Sequence, residues 1–140
     1  MNSVIDLETM KRMEIKFIYN SNKSRDREAY ALVNALDGHV INAFDVYKTR
    51  MTNTQIANLA NDLNVKIEAL FDVEDEKELE RIRGYSDDDK LQMLHYNMSL
   101  LKTPILKCEG KTWFMLSPFE LHPIDLEIIG IKKKNKPSEI

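Results

Sequence analysis

The 140-residue chain carries 20 basic and 23 acidic side chains, a formal net charge of −3, with 43% hydrophobic and 31% charged residues. That is the length of one ordinary domain, with enough apolar material for a core that needs neither disulfides nor a metal. It excludes a bilayer-spanning run of about 18 apolar residues and, by its charge balance, an overall electrostatic footprint for nucleic acid.

Residues 1–13 include Asp6 and Glu8 where a secretory signal would need an apolar centre, so they read as an N-terminal extension and the chain as cytoplasmic. Cys108 is the only cysteine. An intrachain disulfide is therefore excluded, and a reducing compartment is the simplest setting.

The run EIKFIY over 14–19 predicts a strand, and the polar stretch 20–24 a loop. From Arg25 onward Ala29, Leu32, Val33 and Leu36 recur at helical spacing, which predicts a helix ended by Asp37-Gly38. Residues 39–46 form a second strand, so close behind the first that a right-handed parallel βαβ crossover is expected. Thr52 or Thr54 can cap the next helix, with Ile56, Leu59, Ala60 and Leu63 on its apolar stripe.

The stretch 65–83 is helical or mixed. Its acids Asp72, Glu74, Asp75, Glu76, Glu78 and Glu80 read as a solvated face. Ser86 with Asp89 resembles a capping box and opens a helix carrying Leu91, Leu94, Met98 and Leu101 on one side. Pro104 breaks that pattern, and 105–108 pairs with 112–116 across Glu109-Gly110 as a hairpin. Ser117-Pro118 starts a last helix through Phe119 and Leu121, bent or divided at Pro123. Residues 131–140, with four lysines, form a basic tail.

The expected architecture is therefore α/β, with the order β-α-β, two or three helices, β-β, α: a mixed sheet of about four strands, helices on both faces, and a helical insertion before the last hairpin. Two segments link this order to a known family. Asn97-Met98-Ser99-Leu100-Leu101-Lys102-Thr103-Pro104-Ile105 is similar to the N-P-x-L-I-K-R-P-I segment of glutaredoxin-coupled arsenate reductases and Spx regulators, matching at Asn97, Leu100, Lys102, Pro104 and Ile105. The loop from Asn20 to Glu28 resembles their N-P-x-C-S-x-S-R-x, keeping Asn20, Ser24 and Arg27.

The resemblance implies a thioredoxin-like domain over 14–130. It also implies that Lys23 occupies the position of the nucleophilic cysteine, Thr103 that of an oxyanion-clamping arginine, and Pro104 that of a cis-proline. An ammonium is no nucleophile toward an oxyanion or a disulfide, and a neutral hydroxyl cannot replace a bidentate cation. Ser21 and Ser24 have no base partner visible in the sequence. Cys108 lies four strand residues from Pro104, roughly 13 Å at about 3.3 Å per residue, and reads as a structural thiol. His39, His95 and His122 fall in different elements without ligand spacing. Trp113 and the other aromatic residues read as packing.

No catalytic residue, metal or cofactor is therefore expected. The site residues that remain are Asn20, Lys23, Ser24, Arg25, Arg27, Thr103 and Pro104, at a helix N-terminus suited to an anion. Three readings follow: a catalytically silent binding or regulatory module for a protein partner, such as transcription machinery or a redox protein; an oxidoreductase that uses a partner's thiol or glutathione at Pro104; and an oxyanion-binding protein. Membrane and direct nucleic-acid partners are not expected.

Overall fold

The structure, a computed structural model, describes residues 14–35 and 39–115. Strand β1 (Glu14–Tyr19) alternates as its sequence dictates, with Ile15 and Phe17 buried on one face and Lys16 exposed on the other. Strand β2 (Val40–Asp45) runs parallel to it, in register from Glu14 opposite Val40 to Tyr19 opposite Asp45. Strands β3 (Ile105–Cys108) and β4 (Lys111–Phe114) complete an order β2-β1-β3-β4, with β1–β3 and β3–β4 antiparallel. Glu109 and Gly110 both have positive φ, 51° and 77°. Two consecutive positive-φ residues suit the right-handed twist of a tight hairpin, as Glu109-Gly110 predicts.

Helix α1 (Ser24–Asn34) follows β1 and buries Ala29 and Val33 as expected. Leu32 corrects the predicted stripe: it is 41% exposed, while Asp26 is fully buried. The same helical spacing runs through Asp26, Ala29 and Val33, and the helix packs on that sector, turning Leu32 toward solvent. Helix α2 (Asn53–Leu63) begins at a complete capping box: Gln55 N–H donates to Thr52 Oγ1 at 3.1 Å, and Thr52 N–H to Gln55 Oε1 at 2.8 Å.

The helical insertion consists of a 3₁₀ turn (Ile67–Leu70), helix α3 (Glu76–Arg83), helix α4 (Asp87–Tyr96) and a second 3₁₀ turn (Met98–Leu100). Asp89 N–H donates to Ser86 Oγ at 3.1 Å, capping α4 where the sequence puts its start. That helix is shorter than predicted, because Asn97 leaves helical geometry (φ −134°, ψ 84°) and puts Met98 and Leu101 beyond its end. Both are still buried. Phe71 bridges Leu101, Asp72 N–H donates to Leu100 O and Lys102 N–H to Leu70 O, each at 2.7 Å. The insertion is thus tied to the chain just ahead of Pro104.

The sheet separates two apolar cores. Ile15, Phe17 and Leu106 pack with Ala29 and Val33 of α1 on one face. Ile105 packs with Ile56, Leu59, Leu70, Ile82 and Leu94 on the other, under α2 and the insertion. Helices therefore cover both faces, and each fully buried aliphatic side chain contributes about 1.5–3 kcal/mol. Trp113 packs against the first core.

Residues 1–13, Leu36, Asp37-Gly38, Leu116, the helix expected from Pro118 and the tail 131–140 lie outside the described residues. Among the described residues, no helix is long and apolar enough to cross a membrane.

Candidate functional site

The loop between β1 and α1 is held by its own backbone amides. Asn20 N–H donates to Asp26 Oδ2 at 2.8 Å, Ser21 N–H to Asp45 Oδ1 at 3.0 Å, Asn22 N–H to Asn20 Oδ1 at 2.9 Å, and Lys23 N–H to Asn20 O at 3.0 Å. Ser24 is exposed and starts the helix after Lys23, the N-cap. Ser24 N–H and Arg25 N–H then point beyond the first turn, with no hydrogen-bond partner among the described residues.

Each cation of this loop already has an internal acceptor. Lys23 Nζ donates at 3.2 Å both to Asp72 Oδ2 and to Leu101 O. Arg25 Nη2 donates to Thr103 O at 3.0 Å and lies 3.9 Å from Asp72 Oδ2. Arg27 Nη1 donates to Ser21 O at 2.8 Å. The acidic stretch is therefore not a uniform solvated face: Asp72 closes onto the loop, and Asp75 caps α3 by accepting Lys77 N–H at 3.0 Å.

Three predicted ligand-facing residues turn inward. Asn20 and Thr103 are buried, and so is Pro104, which follows a cis Thr103–Pro104 bond. Thr103 Oγ1 donates to Asp26 Oδ2 at 2.5 Å. Among the described residues, Asp26 Oδ1 accepts no hydrogen bond, and Arg25 Nε lies 4.0 Å from it. Asp26, Asp45 and Asp72 are site residues that the sequence did not single out. Asp26 had one signal, its helical spacing to Ala29 and Val33; Asp72 had none, because the insertion delivers it.

At the end of β2, burial pushes the Asp45 carboxyl up. Hydrogen bonds from Ser21 and the Tyr47 amide, with Lys48 nearby, outweigh burial and hold it below the usual carboxylate range. Burial, then Asp45 and Tyr30, push the Tyr19 hydroxyl up. Cys108 is 1% exposed on β3, and burial, with Glu109 adding to it, pushes its thiol up, away from the reactive thiolate. Among the described residues, no group of three or more His, Cys, Asp or Glu is placed to hold a metal ion. His95 instead meets Met51 O through Nδ1 at 2.7 Å.

No family model and no curated protein matches the sequence. Solved structures do match the fold. An arsenate reductase from Vibrio cholerae superposes with a TM-score of 0.65 at 21% identity, covering 78% of this chain and 95% of that one. The chain has the thioredoxin-like fold of the arsenate reductase structures. A candidate arsenate reductase from Yersinia pestis gives 0.65 at 23% identity, covering 76% and 96%, and an ArsC family related protein from Bacteroides fragilis gives 0.59 at 15%, covering 76% and 93%.

Within this arsenate reductase fold, the two segments that carried the sequence resemblance come together. The N-terminus of α1 meets the Thr103-Pro104 turn through the Arg25–Thr103 and Thr103–Asp26 hydrogen bonds. Their meeting brings together two N–H groups without a partner among the described residues, three internally paired cations and a buried carboxylate, with no thiol among them.

Proposed function

We propose that this chain is an arsenate reductase-like protein without reductase activity, working as a binding or regulatory module for a protein partner. The observation that carries the reading is Lys23. At the helix start, where the resemblance puts the nucleophile, it presents an ammonium donating to Asp72 and Leu101 O. An ammonium held there can neither attack an oxyanion nor supply electrons. Cys108 offers no substitute from inside the core. Thr103 spends its hydroxyl on Asp26, so no bidentate cation at that position meets an oxyanion.

The test is an arsenate reduction assay with glutathione and glutaredoxin, on wild type beside Lys23→Cys. Wild type is expected to run at the protein-free rate; a thiol-dependent wild-type rate sinks the proposal. Reduction in Lys23→Cys alone supports it and assigns the lost chemistry to that position.

A second reading, oxyanion binding, is favoured by the N–H groups of Ser24 and Arg25, without a partner among the described residues, beside Lys23, Arg25 and Arg27. Against it is the internal pairing of all three cations. Phosphate or arsenate binding that is absent, or unchanged in Lys23→Ala, removes this reading.

A further inference from the structure

Lys16 and Lys107 stand directly opposite each other across the antiparallel β1–β3 pair. Side chains so placed have Cβ atoms roughly 5 Å apart, and like charges there destabilise the pairing. Asp62 of α2 answers one of them, accepting a hydrogen bond from Lys107 Nζ at 2.8 Å. Lys16 has no hydrogen-bond or ion-pair partner among the described residues. The sheet thus carries a like-charge pair of which one member is answered by no described residue.

Both lysines and Asp62 line a cavity of about 280 Å³ between the sheet and α2, floored by Ile18, Phe44, Met51 and Leu59. None of these residues belongs to the loop at the start of α1, so the cavity is separate from the site described above. It lies just below the roughly 300–1,000 Å³ range of ordinary ligand pockets, which limits an occupant to about one ring. Two lysines against one aspartate leave one positive charge in excess at its rim.

We infer that this cavity binds a small monoanionic organic acid with an apolar body, its carboxylate beside Lys16 and Lys107 and its body on Phe44 and Leu59. A neutral hydrocarbon would cover the floor and leave the lysine pair repelling. Inorganic phosphate would answer the charge and leave the floor wet. A carboxylate on a ring does both, and it offsets the like-charge cost of the Lys16–Lys107 pair.

The test is an NMR titration of the full chain with phenylacetate, with phenylacetamide as the neutral isostere and inorganic phosphate as the anion without a body. Phenylacetate is expected to shift the amide signals of Ile18, Phe44 and Leu59 saturably, with both controls about tenfold weaker or more, a difference of about 1.4 kcal/mol. Lys16→Met should weaken phenylacetate by at least about fivefold without lowering the urea midpoint, since it removes one of two like charges. Lys16→Arg should keep binding. The inference is overturned by absence of a saturable shift, by phenylacetamide or phosphate binding as tightly as phenylacetate, or by a folded Lys16→Met that binds as wild type does.

Discussion

Thr103 Oγ1 donates to Asp26 Oδ2 at 2.5 Å, joining residues 77 positions apart inside the protein. The Asp26 side chain is fully buried; among the described residues its one other hydrogen-bond donor is Asn20 N–H, and both donors serve the same oxygen. One of the two hydrogen bonds that this carboxylate accepts from the described residues therefore comes from the Thr103 hydroxyl.

Replacing Thr103 by Val keeps the shape and removes that hydroxyl. The cost of leaving a buried acceptor short is about 1–3 kcal/mol, and urea unfolding of Thr103→Val should register it as a lower midpoint. Thr103→Ser, which retains the donor, should lose much less. Equal losses in Val and Ser would mean that the methyl, not the hydroxyl, matters here.

Lys23 and Asp72 form a pair whose side chains are 23% and 33% exposed. Water and salt reach such a pair, so a double-mutant cycle with Lys23→Met and Asp72→Asn should give a coupling of only about 0.5–1 kcal/mol. The coupling should shrink as salt is added. A coupling that does not respond to salt would contradict the pairing as described.

The pH dependence of stability should show a contribution from Glu68. Lys90 Nζ donates to Glu68 Oε1 at 3.0 Å, and this hydrogen bond, opposed by burial, holds the carboxyl below its ordinary value of 4.5. A carboxyl depressed on folding stabilises fully above its unfolded value, and the gain is lost as pH falls through that value toward the folded one. Urea unfolding of wild type and Glu68→Gln across a pH series should therefore show a difference that narrows below about pH 4.5. A difference independent of pH would remove Glu68 from the acid limb.

Much of the site's position was legible in the sequence. The strand before Asn20, the helix after it, Pro104 ahead of the hairpin, and the match of both segments to one family located the loop and the turn that meet. Which side chains face outward there was not legible. Asp26, flanked by Arg25 and Arg27, looks like a surface residue, yet it is buried while Leu32 is exposed. Asp72 looks like one acid among several, yet it closes on Lys23.

The sequence by itself determined the local grammar of this protein: alternation in β1, the capping box at Thr52, the turn at Glu109-Gly110, and a single cysteine that excludes an internal disulfide. Those features depend on neighbours a few residues away. Only the tertiary structure decided that Lys23 pairs with a carboxylate 49 positions on and a carbonyl 78 positions on, that α4 stops at Tyr96, and that Lys16 faces Lys107 over a cavity. The physical reason is that charge pairing and burial are set by whichever surfaces the fold brings together, and no local periodicity encodes them.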